Sequence, residues 1–117
     1  MTTPKPDELG LLAVNSGQVL LIRAHGETDW RIPRAVVADG DVDATHLALV
    51  RAHGLTVVEV IDAGVHKVGH HQYALHRVKI TERPEIEGLE TRLVRLSQLP
   101  RALAEPDKHL LDALLHY

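Results

Sequence analysis

Cysteine is absent from this 117-residue chain, which excludes disulfides, thiolate nucleophiles, iron–sulfur clusters and cysteine-based zinc sites. Aromatic residues are almost absent as well. Only Trp30, Tyr73 and Tyr117 occur, with no phenylalanine, so the core has to be built from Leu, Val, Ile and Ala. There is no excess of positive charge. Thirteen Lys and Arg against sixteen Asp and Glu give a formal charge of −3, which disfavours binding to nucleic acid or to an anionic membrane surface. No apolar run approaches the ~20 residues of a membrane span, and the opening residues lack the apolar stretch of a signal peptide. The remaining expectation is a soluble, cytoplasmic protein with one domain's worth of ordinary globular composition, 44% apolar and 25% charged.

Histidine is plentiful, at positions 25, 46, 53, 66, 70, 71, 76, 109 and 116. On a helix, His46 and His53 would be separated by two turns, roughly 10.5 Å of rise. One zinc ion with ligands at about 2.0–2.1 Å cannot join them. A place in the last helical turn suits His53 through the helix dipole. His66, His70, His71 and His76 cluster on a predicted hairpin, where one or two could face a ligand beside Tyr73.

Residues 1–8, with Pro4 and Pro6, read as a flexible tail before a single domain over 9–117. The apolar runs 9–14 and 18–24 flank Asn15-Ser16-Gly17, the chemistry of a tight turn, and predict a hairpin covered on both faces. Trp30-Arg31-Ile32-Pro33 is a short extended piece, because Pro33 biases Ile32 away from helix. A helix is predicted over about 43–53. Asp41 or Asp43 would cap its start, and Gly54 would supply the left-handed residue beyond its end. The β-branched run 55–61 is a strand turning at Asp62-Ala63-Gly64, and 65–68 pairs with 71–80 about Gly69-His70. An acidic loop over 82–88 precedes a strand over 91–96 and a one-turn segment over 97–103. The closing helix over about 106–115 has Pro106 in its first turn and an apolar stripe of Leu110, Leu111, Leu114 and Leu115. The order β-β-β-α-β-β-β-α predicts an α+β fold, a mixed sheet flanked by helices.

That order, together with the hairpin ending in Arg23, the Trp30-Arg-Ile-Pro33 segment, the Gly40-Asp41 turn before a helix and the Gly54-Leu55 pair closing it, resembles the Nudix (MutT-like) family. The resemblance covers almost the whole chain, 9–115, and its last landmark is Arg92-Leu-Val-Arg-Leu-Ser-Gln-Leu-Pro100. It implies an α/β/α sandwich. It also implies a box, G-x5-E-x7-R-E-U-x-E-E-x-G-U, whose glutamates hold Mg²⁺ or Mn²⁺ to activate water against a diphosphate. Such hard cations require carboxylate oxygens.

This chain lacks those carboxylates. Anchored on Gly54, the positions that should read Arg-Glu-x-x-Glu-Glu read Leu47-Ala48-Leu49-Val50-Arg51-Ala52, and Arg34-Ala35 replaces the Gly-Gly after the proline. From 44 through 58 there is no Asp or Glu in any register. Asp41 alone matches an acidic position of the box, and the permanent cation of Arg51 disfavours a divalent ion nearby. Exchanging crowded carboxylates for Ala and Leu is expected to relieve their repulsion and to add buried apolar surface. Ala35, Asp41, Leu47, Ala48, Arg51, Ala52 and Gly54 are therefore the positions of a degenerate box, with no catalytic residue and no metal assigned. Asp39 and Asp41 offer a weak alternative metal site; a turn and a helix cap also explain them.

The resemblance implies ligand-facing roles for Arg23, Trp30, Arg34, His66 and Tyr73. Arg could hold phosphate and Trp could stack on a base, while Trp30 serves equally well as a core residue. The first reading is a non-hydrolytic Nudix-fold module for a nucleotide-like small molecule or a protein partner. The second is a Mg²⁺- or Mn²⁺-dependent hydrolase of nucleoside-diphosphate-type substrates. Its relocated ligands would be Asp39 and Asp41 converging with Glu82, Glu85, Glu87 or Glu90 of the acidic loop. The third is a structural homodimer subunit.

Overall fold

A computed structural model describes residues 5–112. Its elements are β1 (Glu8–Asn15), β2 (Gln18–Ala24), β3 (Arg34–Val36), α1 (Val42–Ala52), β4 (Val57–Val68), β5 (His71–Ile80), β6 (Leu89–Arg95) and α2 (Glu105–Leu111). Type and order agree with the sequence reading. The sheet runs β4-β5-β1-β2-β6, with β3 also on β1. Among the described strand pairs β1–β5 alone is parallel, so the sheet is mixed.

Both faces are covered, which explains why β1 and β2 show no clean alternation of apolar and polar residues. Leu9, Leu11, Leu20, Ile22, Val78 and Ile80 pack with Leu49 of α1 and with Leu55 on one face. Leu12, Val19, Leu21, Tyr73, Leu75 and Val94 pack with Leu110 and Leu111 of α2 on the other. Leu114 and Leu115 of the predicted stripe lie outside the described residues, as do residues 1–4. No described helix is long and apolar enough to cross a membrane.

Two expectations are corrected. Glu8 belongs to the sheet, and Asp7 is hydrogen-bonded to β5 rather than lying in a loose tail. Glu8 opens β1, and the Asp7 backbone N–H donates to the Gln72 carbonyl at 2.8 Å. Asp62-Ala63-Gly64 is not a chain reversal but a bulge within one long strand β4, between the register pairs of Asp62 and Val65. Gly64, at φ 85°, supplies the left-handed conformation there and donates its N–H to the Asp62 carboxylate at 2.8 Å. The Trp30–Pro33 segment makes only isolated bridges, from Trp30 to Leu103 and from Arg31 to Ile22, and the strand proper begins at Arg34.

That segment positions the site. β1 and β2 pair only beside their turn, at Val14–Val19 and Asn15–Gln18, and farther along the chain 30–36 runs between them. Leu11 N–H donates to the Pro33 carbonyl at 2.9 Å, and Ile22 and Arg31 exchange backbone bonds of 2.8 and 2.9 Å. Gly10 makes the close approach possible. A Cβ at this position would sit 2.8 Å from Cδ1 of buried Ile32.

Candidate functional site

Helix α1 starts where the sequence places it. The Asp41 side chain accepts from the Ala44 N–H at 2.9 Å, and Thr45 Oγ1 donates to the Asp41 carbonyl at 2.9 Å. At the other end His53 Nδ1 bonds the Leu49 carbonyl at 2.9 Å, and Gly54 has φ 58°. The helical repeat then decides which residues face out. Thr45 and Leu49 are buried, whereas Leu47, Ala48, Arg51 and Ala52 form the outer face. Leu47 is 57% exposed, so the expected gain of buried apolar surface at these positions does not occur. Ala35, on β3 opposite Leu9, does pack against the α1-side core.

The outer face of α1 therefore offers aliphatic carbon and one guanidinium where a divalent cation would need oxygens. Asp41 is engaged as the cap, and Asp39 sits exposed at φ 54° in the 3₁₀ turn Ala38–Gly40. Among the described residues no three His, Asp or Glu side chains converge on a point that could hold a metal ion. These residues do not fit Mg²⁺ or Mn²⁺.

The other sequence candidates form two groups. In the first, the Arg23 guanidinium lies over the Trp30 ring, 4.4 Å from its centroid, and Nε pairs with the Glu90 carboxylate. Trp30 is 7% exposed and held by its backbone, donating to the Ala102 carbonyl at 2.7 Å and accepting from the Ala104 N–H at 2.9 Å. It is thus a core residue with one edge at the surface. That edge borders a shallow depression of about 420 Å³, whose other walls include Arg83, Glu85, Glu90 and Arg92.

In the second group, Arg34 lies between two carboxylates. Its Nε is 3.2 Å from Asp107 Oδ1, and its Nη1 is 3.3 Å from Glu8 Oε1. The guanidinium also stands 5.7 Å from the Tyr73 ring centroid. His71 Nε2 reaches Glu8 Oε2 at 2.7 Å, and its ring packs on Tyr73 at 4.8 Å. His66 is opposite Tyr73 on β4 and bonds the Ala63 carbonyl at 2.8 Å. Asp107 is fully buried. Burial pushes its carboxyl above the ordinary range, against the opposing pull of Arg34 and of the Ile32 N–H. Burial and the neighbouring Glu8 likewise push the Tyr73 hydroxyl up.

The structure thus brings Arg23 to Trp30 and Arg34 to Tyr73, each cation already matched by a carboxylate of the chain. Sequence reasoning missed Asp107, the buried partner of Arg34. Its one signal was an acid on the apolar side of the last helix. It also missed the pairing of His46 on α1 with His76 on β5, whose Nδ1 atoms are 2.9 Å apart. A register between two separate elements brings these about, and nothing local in the sequence shows it.

The fold as a whole superposes on solved structures. An ADP-ribose pyrophosphatase from Streptococcus suis superposes with a TM-score of 0.73 at 13% identity, covering 93% of this chain and 88% of its own. A MutT Nudix hydrolase from Burkholderia pseudomallei gives 0.68 at 18% identity over 92% and 95% of the two chains. The fold is the Nudix fold. A further Nudix hydrolase, from Nitrosomonas europaea, gives 0.66 at 20% identity over 98% of this chain and 75% of its own. No family model and no curated protein matches the sequence.

Proposed function

We propose that this chain is a non-hydrolytic Nudix-fold module with a degenerate box, binding a nucleotide-like small molecule in the depression beside Trp30. One observation carries the reading: the outer face of α1 consists of Leu47, Ala48, Arg51 and Ala52, and no acid occurs from 44 through 58. Without carboxylates on this helix, a divalent ion bridging protein and diphosphate has no anchor. Arg83 and Arg92 supply positive charge at the depression, and the edge of Trp30 supplies an aromatic surface. The ligand class rests on the neighbours, which include a UDP-X diphosphatase as well as the ADP-ribose pyrophosphatase. Calorimetry with Mn²⁺ and a turnover assay with ADP-ribose test the proposal. It requires no Mn²⁺ site tighter than millimolar, no cleavage, and ADP-ribose binding weakened by Arg92→Gln.

A second reading, a Nudix hydrolase with relocated metal ligands, is favoured by the enzymatic names of these neighbours and by Glu85 and Glu90 at the rim of the depression. Mn²⁺-dependent cleavage of ADP-ribose, abolished by Glu85→Gln or Asp41→Ala, would establish it in place of the first.

A further inference from the structure

The sheet carries a second concavity, remote from Trp30 and Arg34. On β5 the residues facing α2 are Tyr73, Leu75, Arg77 and Lys79 in turn. Tyr73 and Leu75 are buried beneath α2; Arg77 and Lys79 lie beyond it and line a groove of about 390 Å³. Lys79 is roughly 20 Å along the strand from Tyr73 at ~3.3 Å per residue. Val14, Val19, Ile61 and Leu96 form the apolar floor, and the hairpin turn Ser16-Gly17 forms the rim.

The groove holds two cations and one carboxylate, Arg77 and Lys79 with Glu59. Arg77 and Lys79 sit two residues apart on one strand face, about 7 Å between Cα atoms, so their cations repel. Among the described residues neither forms an ion pair with a carboxylate, although Arg23 and Arg34 elsewhere on the sheet are both paired. Glu59, opposite Lys79 on β4, also lines the groove but lies beyond ion-pair distance from it. The lining keeps one net positive charge. Arginine offers a planar fork for oxyanions and lysine a second point charge, a pair suited to a dianion rather than a single carboxylate. The floor would receive an apolar group attached to that anion.

We infer that this groove is a binding site for a phosphate monoester with an apolar body, the phosphate held between Arg77 and Lys79 and the body resting on Val14, Val19, Ile61 and Leu96. The site goes beyond the proposed function and uses none of its residues.

Backbone amide NMR on the full chain, titrated with phenyl phosphate, tests it, with inorganic phosphate, benzoate and benzyl alcohol as companion probes. Phenyl phosphate should shift Ser16, Gly17, Val19 and Ile61 saturably, more tightly than any companion. Arg77→Gln and Lys79→Gln should each weaken it by about tenfold, the effect of one lost charge-assisted contact. Arg92→Gln, at the Trp30 depression, should leave it unchanged. The inference fails if phenyl phosphate moves no groove amide below about 10 mM, well above the affinity of a typical weak site. It also fails if both single variants bind as the parent does, if benzoate binds as tightly, or if the shifts centre on Trp30.

Discussion

His46 Nδ1 and His76 Nδ1 meet at 2.9 Å, tying the outer helix α1 to the inner strand β5. Such a contact needs one nitrogen protonated and the other bare, so it survives the neutral pair and one added proton, but not two. Burial, then the neighbouring His76, holds the His46 pKa below the usual 6.5, with Asp43 pulling the other way. Asp62 faces His76 from β4.

The sign of the pH effect follows. A histidine whose pKa is depressed on folding takes up its proton more readily in the unfolded chain. Stability is therefore present above pH 6.5 and is lost as pH falls from there through the lower folded value. Urea midpoints between pH 8 and 5 should fall in the parent, and the fall should be shallower in His46→Gln. Equal slopes would mean that the pair does not govern acid stability.

Asp107 has the opposite sign. Its folded pKa is raised, so its contribution is greatest below the ordinary 3.8 and is lost as pH rises through the folded value. Asp107→Asn keeps an acceptor for the Ile32 N–H and should remove that slope. Asp107→Ala leaves this donor without a partner and should cost about 1–3 kcal/mol at neutral pH, read from urea unfolding. An alanine variant as stable as the asparagine variant would rule this out.

Gly10→Ala should destabilise by about 1–3 kcal/mol, the usual effect of overpacking a filled core. Removing the opposing Cδ1 through Ile32→Val should recover part of that loss. The double variant should then be more stable than the sum of the two single changes predicts. Strict additivity would show that the contact with Ile32 is not the cause.

Replacing Ala48, Arg51 and Ala52 together by glutamate would place three carboxylates on the outer face of α1. Like charges at these helical spacings cost about 0.2–0.5 kcal/mol per pair without a counterion. The triple variant should melt below the parent, bind Mn²⁺ at least about tenfold more tightly, a 1.4 kcal/mol gain, and regain stability on binding. A triple variant with unchanged Mn²⁺ affinity would show that this face cannot be made into a metal site by carboxylates alone.

Much of this architecture could be read from residues adjacent in the chain. Asn15-Ser16-Gly17, the Asp41 cap and Gly54 are local chemistry, and each appears in the fold where the sequence puts it. The bulge at Asp62–Gly64 was misread because turns and bulges use the same residues, and only the continued pairing with β5 distinguishes them. The sites were less legible for the same reason. Arg34 was visible as a candidate, but its partners Glu8 and Asp107 come from opposite ends of the chain. The outer face of α1 is exposed rather than buried, since periodicity shows which residues share a face but not what covers that face.

The chain 30–36 running between β1 and β2 also bears on the kinetics of assembly. An uninterrupted hairpin zips from its turn through contacts a few residues apart, whereas this one has two register pairs before its arms separate. The remainder of β1 finds its neighbours at residues 34–36 and 73–79, and β2 finds its own at 89–95. Forming the centre of the sheet therefore requires closing long loops, which should slow folding relative to a sheet built from local hairpins alone.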